Sequence, residues 1–205
     1  MLAFSRGTLV TMLLGVIALS IPSPGNTGDA GLEDCIYDVG KLSARDSQAT
    51  LKVGESAPEF SLPELSGESV SLSKFRGKKN VVISFVPAAW TPVCSAQWPQ
   101  YNDARKVFEE HDAVLLGVTV DNIPTLYAWT KQLSADGAGF WFPVLSDFYP
   151  HGAVSERYGV LRSNGTSERA LFVIDKEGVI RYLEVMDINR LPHFARIEKA
   201  LAGLH

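Results

Sequence analysis

Asn80 to Cys94 reads NVVISFVPAAWTPVC. Its first seven residues, Asn80 to Val86, form a nearly continuous apolar run, the pattern of a strand buried on both faces. Pro87 closes the run. Beyond Cys94, residues 95 to 111 carry polar and apolar positions at helical spacing, so a buried strand is predicted to pass into a helix with Cys94 at its opening turn. Further along, Val114 to Val120 (VLLGVTV) is a second buried strand, and Ile123 to Leu133 is a second helix opened by Asp121 and Pro124. Strand, helix, strand, helix is the order of an α/β domain whose helices cover a sheet.

The flanks fit that core. Glu59 to Leu72 (EFSLPELSGESVSL) reads as two short strands about Ser66-Gly67, a hairpin ahead of the main sheet. Downstream, Phe142 to Leu145 is a short strand and Ala153 to Tyr158 a short helix. Arg169 to Asp175 (RALFVID) and Val179 to Val185 (VIRYLEV) should pair antiparallel across the turn Asp175-Lys176-Glu177-Gly178. Pro192 to Leu204 closes the chain as an amphipathic helix with Phe194, Ile197, Leu201 and Leu204 on one face. The expected fold class is α/β, a mixed central sheet flanked by helices with an N-terminal β-hairpin extension.

The 205 residues, 46% of them hydrophobic, suffice for one well-buried core with sequence to spare at the start. With 19 Lys and Arg against 23 Asp and Glu, no basic field would attract nucleic acid. After Arg6, the apolar core Leu9 to Ile21 (LVTMLLGVIALSI) would make a helix of about 20 Å, short of the ~30 Å hydrocarbon core of a bilayer. Residues 1–22 are therefore expected to be a signal peptide, ahead of a hydrophobic anchor, with Ala18-Leu19-Ser20 as the small-x-small pattern. That places the protein in the periplasm or cell envelope. Residues 23–52, rich in Gly, Ser and Asp, read as a disordered linker, and 53–205 as the folded domain.

Cys35 and Cys94 are the two cysteines, and their separation fits neither a zinc site nor a dense disulfide framework. His111, His151, His193 and His205 have no ligand spacing, so neither a metal nor a cofactor is expected. Cys35 is no lipid-attachment site, because Asp34 precedes it. It is left open as a resolving thiol, an intermolecular bridge or an idle thiol, the last being favoured. Cys94 is different. At a first helical turn it faces unpaired N–H groups and the positive end of the helix dipole, which favour thiolate over thiol. Making a standing thiolate takes about 3 kcal/mol relative to free cysteine, whereas a helix end typically gives ~0.3–1 kcal/mol. A cation must supply the rest, and arginine suits because it stays charged and can donate to both the sulfur and a bound oxygen. Thr91, three residues earlier, can reach over the same turn to orient a peroxide or simply cap the helix.

Pro87, Thr91 and Cys94 form a P-x-x-x-T-x-x-C pattern that resembles the active-site motif of the peroxiredoxin family, and the similarity extends over roughly residues 53 to 204. Val53 to Phe60 (VGESAPEF) looks like the family's domain opening, and Tyr158-Gly159-Val160 precedes the expected hairpin. Leu145 to Val154 is similar to the one-cysteine alkyl hydroperoxide reductase E branch, while Thr91 to Cys94 also resembles the bacterioferritin comigratory protein branch. The resemblance implies a thioredoxin-like fold and a thiol-dependent peroxidase. Cys94 would be the nucleophile, Thr91 and Arg169 would bind and polarise the peroxide, and Pro87 would shield the thiolate from water. Arg157, Arg162 and Arg181 are rivals to Arg169. Gln97 departs from the pattern, standing where many members carry Glu. So does Pro99, which replaces a resolving cysteine of the comigratory branch. With no cysteine after Cys94, the expected partners are a hydroperoxide substrate and an external thiol or a thioredoxin- or glutaredoxin-like reductant, with a homodimer in keeping with the family. Two rivals share the fold. A monothiol thiol–disulfide oxidoreductase is suggested by the likeness of Ala89 to Cys94 to a W-C-x-x-C region with Thr for the first Cys, and the other is a redox-inert binding module.

Overall fold

In the computed structural model, which describes residues 31–47, 50–134 and 136–204, a hairpin of β1 (Ser61–Pro63) and β2 (Ser69–Ser71) precedes the main sheet. Each of its strands turns one apolar side chain inward, Leu62 opposite Val70, and leaves serines outside. The sheet itself has five strands in the order β5-β4-β3-β6-β7. These are β3 (Asn80–Phe85), β4 (Ala113–Thr119), β5 (Val144–Ser146), β6 (Ala170–Ile174) and β7 (Ile180–Val185). β3 is parallel to β4 and antiparallel to β6, β5 is parallel to β4, and β6 pairs antiparallel with β7, so the sheet is mixed as expected.

Side chains two apart on a strand share a face, and β3 divides accordingly. Val81, Ile83 and Phe85 join one core with Leu62, Val70, Tyr158 and Phe172, under the hairpin. Val82 faces the other core, made with Cys94, Trp98, Leu126, Trp129, Ile197 and Leu201. Those residues come from α2 (Pro92–Asp103), α4 (Ile123–Leu133) and α6 (Ala195–Ala202); two shorter helices are α3 (Arg105–Glu110) and α5 (Ala153–Arg157). α2, α3, α4 and α6 thus cover one face of the sheet, and the hairpin with α5 covers the other.

Several expectations need correction. The helix read over 95–111 is two, α2 and α3, broken at Ala104. The indole N–H of Trp141 donates to the carbonyls of Tyr101 and Asn102, and the Asn102 side chain accepts from the Trp141 backbone, so a distant aromatic takes over groups at the end of the α2 ladder. α4 has the expected bounds, yet its cap is Asn122, whose side chain accepts from the Thr125 N–H. β5 begins at Val144 rather than Phe142 because Pro143 has no N–H to give the ladder. Residues 31–47 are not the loose linker expected of 23–52. They carry a short helix, α1 (Leu32–Cys35), and then lie against the domain through hydrogen bonds described below. The signal-peptide or anchor reading of 1–22 lies outside the described residues.

Candidate active site

β3 delivers the chain to the site, and polar contacts hold its exit. The Val86 N–H donates to Val118 and the Val86 carbonyl accepts from the buried Ser167 hydroxyl. Asp121 takes the Ala89 N–H at 2.8 Å and the Thr119 hydroxyl at 2.7 Å on one carboxylate oxygen, tying the loop to the end of β4. Asp121 therefore serves the loop rather than the helix it was expected to open. Trp90 has φ 60°, a left-handed backbone conformation rare for a residue with a side chain, and its carbonyl accepts from the Tyr37 N–H at 2.7 Å.

Thr91 is the N-cap residue of α2, with Pro92 and Val93 filling the next two positions, so Cys94 lies in the first turn. The Thr91 hydroxyl makes no side-chain cap. It donates to the Ala88 carbonyl at 2.9 Å, which leaves the oxygen free to accept. Cys94 is fully buried, and its Sγ lies 3.4 Å from Nη2 of Arg169.

Arg169 is itself 1% exposed and locked on every side. Nε and Nη2 donate to the Ile188 carbonyl at 3.3 and 3.2 Å, and Nη1 donates to Oε1 of Gln97. Gln97 in turn donates through Nε2 to Ser84 Oγ at 3.2 Å and to the Tyr101 hydroxyl at 3.1 Å. Ser84 also accepts from the Trp98 indole at 3.2 Å. Burial pushes the Tyr101 phenol well above its ordinary range, keeping it neutral beside this network. A buried guanidinium with fixed donors next to sulfur can stabilise negative charge on the sulfur and on an oxygen leaving it.

Of the arginines weighed in the sequence, this is the one beside Cys94. Arg157 donates to the carbonyls of Glu59 and Ala153, Arg162 pairs with Glu168, and Arg181 pairs with Asp175. Pro87 is buried and lines, with Thr91 and Arg169, a cavity of about 290 Å³. The structure thus brings Pro87, Thr91, Cys94 and Arg169 together. Cys35 is exposed and unpaired. Sequence reasoning named Gln97 only as a departure and missed Ser84 and Tyr101. Cys94, Gln97 and Tyr101 recur at helical spacing on one face of α2, a signal that was available.

Residues 53–183 match the AhpC/TSA family. The chain is 41% identical over 155 residues to the alkyl hydroperoxide reductase E of Mycobacterium tuberculosis, an alignment covering 75% of this chain and 98% of the relative. It is 33% identical over 160 residues to a chloroplastic 2-cysteine peroxiredoxin of Chattonella marina, covering 76% and 80% of the two chains. Among solved structures, the reduced 2-Cys peroxiredoxin of Plasmodium vivax superposes with a TM-score of 0.68 at 30% identity, over 74% of this chain and 81% of that one. With a P-x-x-x-T-x-x-C loop folded around an arginine-bound sulfur inside the matched region, the chain belongs to the AhpC/TSA family and is a peroxiredoxin, a thiol-dependent peroxidase that reduces hydroperoxides.

Proposed function

We propose that Cys94 is the peroxidatic nucleophile and that Thr91, Arg169 and Pro87 make its site. The thiolate attacks the terminal oxygen of a hydroperoxide, the O–O bond breaks, the sulfur keeps that oxygen as a sulfenic acid, and the departing alkoxide takes a proton to leave as an alcohol. Arg169 stabilises charge on sulfur and departing oxygen, while Thr91, its own proton given to Ala88, accepts from the peroxide O–H. An external thiol then forms a mixed disulfide with Cys94 and releases water, and a second thiol frees the enzyme. The observation that carries this reading is the 3.4 Å approach of Arg169 to a sulfur in a first helical turn. A thioredoxin- or glutaredoxin-like protein is the proposed reductant. A homodimer, which a native mass measurement tests, is the proposed assembly. Export to the cell envelope follows from residues 9–21, and the N-terminus of the mature protein tests it.

One equivalent of hydroperoxide should add one oxygen to Cys94, trappable by a sulfenic-acid reagent. Cys94→Ser should abolish peroxide consumption, and Cys35→Ser should leave turnover with an external thiol largely intact. Direct formation of a Cys35–Cys94 bond in that mass measurement would replace the one-cysteine scheme with a two-cysteine one. Peroxide consumption that survives Cys94→Ser would end the proposal.

A further inference from the structure

The cavity lined by Thr91 and Arg169 has a wall that the family domain does not supply. Val39 and Leu42 line it together with Pro87, Thr91, Pro92, Val93 and Arg169. Both wall residues lie upstream of the matched region, which begins at residue 53. The mycobacterial relative uses 98% of its length on 75% of this chain, so it has almost nothing left to correspond to the remainder.

What holds the segment there is specific. Asn189 grips Leu42 by both backbone groups, accepting its N–H and donating to its carbonyl, each at 2.9 Å. The Ile188 N–H donates to the Ala44 carbonyl at 3.1 Å, and Arg162 donates to the Ser43 carbonyl at 3.0 Å. Glu168 completes the clamp. It is fully buried, one oxygen accepts from Arg162 at 2.6 Å, and the other accepts the backbone N–H groups of Asp46 and Ser47 at 2.6 and 2.8 Å. A buried carboxylate is costly unless its lone pairs are filled, and two of this one's three donors come from the segment. Neighbouring residues therefore have linked tasks: Glu168 holds the segment and Arg169 lies against the sulfur.

Hydrogen peroxide does not need such a chamber. At about 290 Å³ the cavity is roughly ten times the ~30 Å³ that a water molecule occupies in the liquid, and the apolar part of its lining offers nothing to a molecule made of two oxygens and two protons. It offers contact to a hydrocarbon substituent. Resting on the peroxidase reading above, we infer that residues 38–47 are a substrate-specificity strap, in which Val39 and Leu42 seat the apolar group of an organic hydroperoxide while Arg169 and Thr91 hold its O–O end.

The test measures the second-order rate of Cys94 oxidation in the full chain with hydrogen peroxide and with cumene hydroperoxide. The double variant Val39→Ala/Leu42→Ala should lower the cumene hydroperoxide rate about tenfold, equivalent to about 1.4 kcal/mol, with the hydrogen peroxide rate held within about twofold. Val39 is 40% exposed and Leu42 is bound through its backbone, so the truncations spare the fold. Asn189→Ala, which removes both bonds to Leu42, should change the same ratio and speed tryptic cleavage at Lys41 or Arg45. Equal changes for both peroxides, or no change for either, would overturn the strap's role. No oxidation of Cys94 in the unaltered protein by either peroxide would instead overturn the peroxidase reading itself.

Discussion

Gln97 shows how a neutral side chain can position a charged one. Its carbonyl oxygen fixes Nη1 of Arg169, while its amide nitrogen is spoken for by Ser84 and Tyr101. A hydrogen bond to a charged group is worth roughly 1.5–3 kcal/mol, and losing it here frees the guanidinium to rotate away from the sulfur. Gln97→Ala should therefore slow sulfenic acid formation by roughly tenfold or more, without changing the KM for the thiol reductant. Gln97→Glu should restore most of the rate, because the Ser84 and Tyr101 hydroxyls can both donate to a carboxylate. If Glu and Ala at this position behave alike in stopped-flow oxidation, the positioning role is wrong. Cys94 and Thr91 were legible in the sequence because they are local to one turn. Arg169 was legible through family resemblance alone. The Ser84–Gln97–Tyr101 support was not read, because a buried polar network looks in sequence like scattered polar residues in apolar surroundings.

At the scale of elements, α2 packs on the sheet through Trp98, and it can do so because β4 has a glycine at the point of contact. A Cβ at Gly117 would stand 2.8 Å from the Trp98 ring. Trp98 also donates to Ser84, so the ring cannot shift without breaking that bond and tilting the helix that carries Cys94. Gly117→Ala should destabilise the protein by about 1–3 kcal/mol, the usual range for overpacking, measured by urea unfolding, with slower Cys94 oxidation in the folded fraction. An unchanged unfolding midpoint would show that the ring has room to yield. The strands were readable since a run such as Asn80 to Val86 needs no distant information. The split between α2 and α3 was not, because Trp141, the residue that takes the released carbonyls, lies 39 positions away from Asn102.

Across the whole molecule the parallel pair β3 and β4 sends its C-terminal ends to the active site, as α/β sheets usually do. The opposite end is tied by charge. Asp112, just before β4, meets Lys176 after β6 and Lys79 before β3, each at 2.6 Å. Hydrogen bonding from Lys176, then from Lys79, brings the Asp112 carboxyl down from 3.8 to about 2. A carboxyl lowered by folding contributes stability that is present above its unfolded value and lost as the pH falls through its folded one. The stability gap between the parent protein and Asp112→Asn should thus be open at pH 5–7 and close between about pH 4 and pH 2. Both partners are solvent-exposed, so added salt should narrow the gap at neutral pH. Asparagine suits the test, since position 112 has φ 49° and Asn tolerates that conformation. A gap independent of pH would locate the effect elsewhere than in the charge.

The two amides that Asp46 and Ser47 present to Glu168 also bear on where the domain starts. Homology draws the border at residue 53, but a chain cut there would keep an anionic oxygen inside the protein and discard both of its donors, at about 1–3 kcal/mol or more. The physical unit of folding therefore starts several residues ahead of the evolutionary one, and trimming to the homologous border would remove part of the interior along with the residues before it.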